Sequence, residues 1–318
     1  MTIEATTKFL YPYKFDYHHS ELCKLETRQI FGEEVKDKLV FSDREVDPSI
    51  SPFMKGRFEI ILCSDSYNSL LKSIQNKDIQ THGFKVEYVI LDGDANDFKE
   101  RKSKLRGVGY SIFAAPDFDN PSITYAICTH KGAWYFGMFT EANNDWYKHK
   151  NKPQSFSNSI DQKIGKTLVG LASKGNTDMR LLDACCGVGT VMLEACSSGF
   201  SIDGCDIHPK ACVHARANLA HYDYKSKVYY SDIKDLDQNY DAAIIDLPYN
   251  LYSYSNETIT SHIISSAVKL AARIVIVSIS DIEPIIKTAR LVISDFCTVE
   301  KRGGSQFKRN VWVCERVG

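Results

Sequence analysis

The sequence is short of several things. No apolar run reaches the roughly 18–20 residues that a membrane span needs, so no transmembrane helix is expected. The ten cysteines include no C-x-x-C pair, and zinc-ligand spacing is absent. Cys63, Cys128, Cys297 and Cys314 sit in apolar runs and read as reduced core thiols, not redox or metal groups. Neither sign of charge is in excess: 39 Lys and Arg against 40 Asp and Glu leave a net −1. Any nucleic-acid binding must therefore come from local patches. The start, MTIEATTKFLYPYKF, has neither the charged opening nor the apolar block of a signal peptide, so a cytoplasmic protein is expected. Repeats and low-complexity tracts are also missing.

What remains is the profile of an ordinary globular chain, 43% apolar and 25% charged. Its 318 residues suggest two or three domains at about 100–200 residues each. From MRLLDACCGVGT to DIEPIIKTAR, short β-branched runs alternate with helix-period segments. That alternation predicts a parallel α/β sheet with helices on both faces. CTVEKRGGSQFKRNVWVCER reads as strand, glycine turn and strand, so an antiparallel hairpin should close the sheet. A helix with Ile160, Ile164, Leu168 and Leu171 on one face precedes it, with N-cap candidates at 157–159. The polar stretch KHKNKPQ, 148–154, is the expected domain boundary. The N-terminal half has α+β texture: a helix over 18–32, strands in FEIILCS and FKVEYVILDG, a helix stopping at Gly107, and a hairpin turning at His130-Lys131-Gly132.

LLDACCGVGTVMLEA is a strand, a tight loop holding Gly187 and Gly189, and a helix. Missing β-carbons let a ligand lie on the backbone, and the helix N-terminus offers free N–H groups. Asp206 ends the next strand, where doubly wound folds place an acceptor for ribose hydroxyls. The third glycine of the dinucleotide fingerprint is replaced by Met192. Asp183, just ahead of the loop, suits a cationic ligand and would repel a diphosphate. The loop therefore favours S-adenosylmethionine over NAD, while a purely structural turn stays open. Asp232 ends the third strand, as an acceptor for an adenine amino group or as an N-cap.

The fourth strand, YDAAII, ends in Asp246-Leu247-Pro248-Tyr249, which should face the same crevice. A carboxylate and a neighbouring carbonyl accept the two hydrogens of an exocyclic amine. Proline fixes the turn. Tyrosine offers a surface on which a base stacks, worth about 1–3 kcal/mol. Accepting those hydrogens raises electron density on an amine that conjugation makes a poor nucleophile. A capped turn with a core tyrosine is the plainer alternative.

D-L-P-Y resembles the D-P-P-Y or N-P-P-Y tetrapeptide of amino-methyltransferases, with Leu247 where the first proline usually stands. With KPQSFSN, LLDACCGVGT, IDGCDIHP and IIDLPYN, residues 150–318 resemble the tRNA guanine-N2 methyltransferases of the Trm11/TrmG10 type. The resemblance implies a Rossmann-like class I methyltransferase sheet at 148–318, a ferredoxin-like domain at 1–80 and an RNA-binding THUMP domain at 81–147. It implies S-adenosylmethionine as cofactor and tRNA as partner, with the target guanosine near the acceptor stem or its junction. It makes Asp246 the catalytic acid and Tyr249 the stacking aromatic. Gly187, Gly189, Asp206, Asp232, Ser157 and Asn158 fall on its cofactor motifs.

Three basic groups are candidates for RNA contact: Lys99, Arg101, Lys102, Lys104 and Arg106; Lys148 and Lys150 beside Trp146-Tyr147; and Lys301, Arg302, Lys308 and Arg309 around the C-terminal turn. A solvated helix face and an ordinary linker are the plain alternatives for the first two. The rival functions are methylation of another RNA or DNA base or of a protein glutamine, non-catalytic RNA binding by a degenerate domain, and an NAD-linked oxidoreductase. The last leaves D-L-P-Y unexplained. Oligomeric state and any accessory subunit are not readable.

Overall fold

A computed structural model describes residues 2–3, 7–156, 159–248, 254–300 and 308–317. In chain order its elements are β1 (Thr2–Ile3), β2 (Phe9–Pro12), α1 (Ser20–Phe31), β3 (Leu39–Ser42), β4 (Gly56–Ser64), α2 (Tyr67–Lys77), β5 (Phe84–Tyr88), α3 (Phe98–Tyr110), β6 (Ile123–His130) and β7 (Ala133–Glu141). There follow α4 (Gln162–Ser173), β8 (Arg180–Asp183), α5 (Thr190–Ser197), β9 (Ser201–Asp206), α6 (Pro209–His221), β10 (Val228–Tyr230) and β11 (Tyr240–Asp246). The chain closes with α7 (Tyr254–Leu270), β12 (Ala271–Ser278), α8 (Glu283–Thr288), β13 (Leu291–Glu300) and β14 (Lys308–Arg316).

The chain forms two compact units. The first holds 1–14, 35–49 and 53–142. Its one sheet runs β3-β2-β4-β7-β6-β5, with β1 paired to β4. The expected divide at 80/81 falls inside this sheet, because β4 pairs with β7 along nearly its whole length. The hairpin between β6 and β7 turns at Lys131 and Gly132, φ +48° and +85°, the two left-handed residues that a two-residue hairpin loop demands. Helix α3 does not stop at Gly107 but runs on to Tyr110. Gly107 is there because the Tyr67 hydroxyl fills the space a β-carbon would take and donates to the Lys104 carbonyl at 2.6 Å.

The second unit holds 143–318 together with 15–34 and 50–52. Its sheet runs β10-β9-β8-β11-β12-β14-β13. Strands β10 to β12 are parallel, and β14 and β13 form the antiparallel closing hairpin. This is the Rossmann-like α/β sheet expected from the alternating runs. Ala242 to Ile245 of β11 are all buried, as expected of a strand covered on both faces. The unit exceeds residues 148–318 because α1 packs on α4 and β13. Leu22, Leu25 and Ile30 of α1 are buried, and Arg28 binds Asp295 of β13 with two hydrogen bonds of 2.8 and 2.9 Å. Helix α4 starts later than the candidates at 157–159 allow: Asp161 is the N-cap, its carboxylate accepting the Lys163 N–H at 2.9 Å. Ser157 and Asn158 lie outside the described residues. All ten cysteines are free thiols, eight of them buried.

Candidate active site

Strand order reverses between β8 and β11, and ligands of open α/β sheets bind in the crevice beyond such a point. Three acids converge there by register. Asp183 on β8 is paired with Gly204 on β9 and Ile244 on β11. Asp206 and Asp246 each lie two residues beyond those partners, so each shares its partner's face of the sheet. All three line one cavity of about 600 Å³, a size suited to a small cofactor.

The glycine loop is built by backbone bonds. Ala184 N–H donates to the Ile244 carbonyl at 2.8 Å, Cys186 N–H to Cys205 at 3.0 Å, and Gly189 N–H to Cys186 at 2.7 Å. Gly187 and Gly189 have φ of +53° and +81°, which side chains rarely adopt. A β-carbon at Gly187 would meet no atom within 4 Å, whereas one at Gly189 would lie 3.2 Å from Ala215. Gly187 thus leaves open space to a ligand, and Gly189 lets α5 pack against α6.

Asp206 braces the loop. Its Oδ2 accepts the Gly187 N–H at 2.9 Å and its Oδ1 the His208 N–H at 2.8 Å. Each oxygen keeps a second lone pair for a ribose hydroxyl. Asp183 is 1% exposed, and neither of its oxygens has a hydrogen-bond partner among the described residues. Burial, then the charges of Asp246 and Asp206, push its carboxyl well above the usual range, and the nearby Cys185 N–H offsets this only slightly. Asp232 is a wall of the cavity and also the N-cap of the short turn at Ile233, accepting the Lys234 N–H at 3.0 Å. Burial pushes Asp232 up, but the Lys234 N–H and His262 outweigh it and hold the carboxylate below its ordinary value.

Of the D-L-P-Y residues, Asp246, Leu247 and Pro248 line the cavity, and Tyr249 lies outside the described residues. Leu247 is buried in the core, and its N–H donates to the Val277 carbonyl at 3.1 Å. That bond extends the β11–β12 ladder by one residue, which a proline could not do. The turn is therefore fixed by a hydrogen bond where a D-P-P-Y tetrapeptide has a ring.

Several lining residues were missed by sequence reasoning. Ile207 and Ile233 supply apolar walls beside Asp206 and Asp232, and His262 of α7 reaches the same cavity. An isoleucine directly after the strand-end acid was a readable signal for the first; helix periodicity alone gave none for His262. Asn218, fully buried on α6, accepts the Gln154 N–H and donates to the Gln154 and Val188 carbonyls, each at 2.9 Å. It ties the KPQSF segment to the glycine loop, and Phe156 and Ser159 line the cavity.

The basic candidates divide. Lys99, Lys102 and Arg106 point outward from α3. Arg101 donates to the Asn96 carbonyl at 2.6 Å, and Lys104 lies over the Tyr67 and Trp134 rings. Lys148 is exposed over Tyr222 and Tyr224, and Lys150 is exposed. Lys308 is paired with Glu300 at 2.7 Å, and Arg309 is half-buried. Lys301 and Arg302 lie outside the described residues.

Sheet order, glycine loop and strand-end acids together define a Rossmann-type α/β domain with a ligand crevice. Residues 147–283 match the family model described as Methyltransferase small domain, and this part of the chain is a methyltransferase domain. Over 106 residues the chain is 34% identical to the tRNA (guanine(10)-N2)-dimethyltransferase of Methanothermobacter thermautotrophicus, a match covering 32% of this chain and 31% of that protein. The match thus spans about a third of the curated relative. TrmN from Thermus thermophilus is a looser structural likeness, with TM-score 0.47 and 15% identity over 97% of this chain and 99% of that one. Magnesium protoporphyrin IX methyltransferase from Synechocystis PCC 6803 gives 0.44 and 17% over 55% and 93%.

The cofactor of this domain is S-adenosylmethionine, and the residues fit it. Gly187 leaves room on the backbone, Asp206 retains acceptors for ribose, and Ile207 and Ile233 can flank an adenine. Asp232 offers an acceptor for the adenine amine, and the anionic crevice suits a sulfonium. The cofactor supplies an electrophilic methyl group. The chain would supply its seat, and Asp246 places a carboxylate on the same cavity.

Proposed function

We propose that the protein transfers a methyl group from S-adenosylmethionine to the exocyclic N2 of a guanosine in tRNA, near the acceptor stem or its junction. The observation that carries this reading is Asp246 at the end of β11, lining the same cavity as the glycine loop. A carboxylate there can accept the amine hydrogens and take up the proton that must leave. Tyr249, by its resemblance to the family aromatic, would stack on the base. The name of the Methanothermobacter relative supports guanine N2 as the acceptor.

The N-terminal unit would hold the RNA, as the THUMP resemblance suggests. On α3, Phe98, Lys102, Arg106 and Tyr110 recur every fourth residue and are all exposed. Two cations for phosphates flanked by two aromatics for bases suit single-stranded RNA. A unit gripping the acceptor end would work as a ruler that selects the base presented to the crevice, which must leave its stack to enter.

Nucleoside mass spectrometry of tRNA from cells with and without the gene is the test. N2-methylguanosine should disappear in the deletion strain, return with the wild-type gene and stay absent with Asp246→Ala. An unchanged nucleoside profile would defeat the reading.

A further inference from the structure

Asp183 has no described partner although it is buried, and it opens onto the cavity. The charged and titratable groups facing it are Asp246 from β11, Asp206 from β9, Cys185 and Cys186 from the glycine loop, and Cys205 from β9. None is a cation. Among the described residues such a carboxylate has only the nearby Cys185 N–H to favour its charge, against two like charges on the adjoining strands. Ionising it alone costs desolvation and repulsion together. A sulfonium in the cavity that these three acids line would reverse that balance.

We propose that Asp183 carries a proton while no sulfonium faces it and releases that proton to solvent when the methyl donor binds, so that this residue distinguishes the sulfonium donor from its thioether product, the amino-acid ammonium being common to both. The assignment rests on the crevice being the S-adenosylmethionine site. The carboxylic acid becomes a carboxylate and one proton leaves; no other bond changes. Once the methyl group is gone, the sulfur is neutral, and the carboxylates regain a proton. The spent cofactor is then held less tightly than the fresh one.

Isothermal titration calorimetry on the full chain tests this. S-adenosylmethionine and S-adenosylhomocysteine are titrated in buffers of equal pH but different ionisation heat. The two ligands share every group except the sulfonium, so proton exchange elsewhere cancels. The methyl donor should release about one proton more than the thioether, and its Kd should tighten by up to about tenfold per pH unit as pH rises while the thioether's stays flat. Asp183→Asn, close in shape, should abolish the difference in proton release and bring the two affinities within a few-fold. Equal proton release by both ligands in the wild type would overturn the assignment, as would a difference that survives Asp183→Asn. Binding of neither ligand would instead sink the donor reading itself.

Discussion

His262 Nε2 lies 2.9 Å from Asp232 Oδ1 and 3.2 Å from Oδ2, joining α7 to the acid at the end of β10. The histidine fixes the carboxylate that would receive the adenine amine. His262→Ala should weaken S-adenosylmethionine binding about fivefold, the worth of one net hydrogen bond of about 1 kcal/mol. His262→Gln, which keeps a donor, should recover part of the loss. Calorimetric Kd values check both.

Asn218→Ala should be costlier. It leaves the N–H and carbonyl of Gln154 and the carbonyl of Val188 without their buried partner. One such group costs about 1–3 kcal/mol, so the melting temperature should fall by several degrees. Cofactor affinity should fall too, because the segment leading to Phe156 loses its tether. A variant with unchanged Kd would show that this segment does not shape the site.

Glu26 on α1 is fully buried, and its one described bond is from the Ser51 hydroxyl at 2.6 Å. Burial pushes its carboxyl from 4.5 up to about 8, with the Ser51 hydroxyl and Lys166 pulling the other way. The unfolded chain therefore loses this proton at lower pH than the folded chain does. Stability contributed by the bound proton is full below about pH 4.5 and is lost as pH rises towards about 8. Glu26→Gln removes the titration. Relative to wild type, the variant should gain on the order of a few kcal/mol between those limits, read from urea melts at pH 5 and pH 8.

On α3, Lys102→Glu with Arg106→Glu should weaken tRNA binding and lower the salt slope by about 0.7 for each single-strand phosphate no longer neutralised. Phe98→Ala or Tyr110→Ala should cost about 1–3 kcal/mol if a base stacks there. S-adenosylmethionine affinity should not move. Filter binding across a salt series separates charge from stacking.

Local chemistry was legible in the sequence, and distant partnerships were not. Alternating β-branched and helical runs gave the second unit's sheet, and Lys131-Gly132 gave the hairpin turn, because period and left-handed backbone are written in adjacent residues. Asp183, Gly187, Asp206, Asp232 and Asp246 line one cavity and were legible as neighbours because strand ends of such sheets converge, whereas Gly189, read with them, packs against Ala215 instead. Asn218 and His262 were not, since a polar residue on a helix face shows its meaning only with its partner. Gly107 misled for the same reason: a glycine that ends a helix and one that admits a neighbour's hydroxyl look alike. Leu247 carries no sign in the sequence of the Val277 carbonyl that receives its N–H.

Residues 15–34 leave the first sheet between β2 and β3 to serve the catalytic unit. The enzyme half is therefore not a portable cassette. A fragment cut at the KHKNKPQ stretch would discard the helix carrying Arg28 and Gln29. It would strand Asp295, which Arg28 and Gln29 clasp together, and strip the cover of Leu22, Leu25 and Ile30 from α4 and β13. Such a fragment should aggregate, whereas one supplied with residues 15–34 in trans has the missing piece to hand.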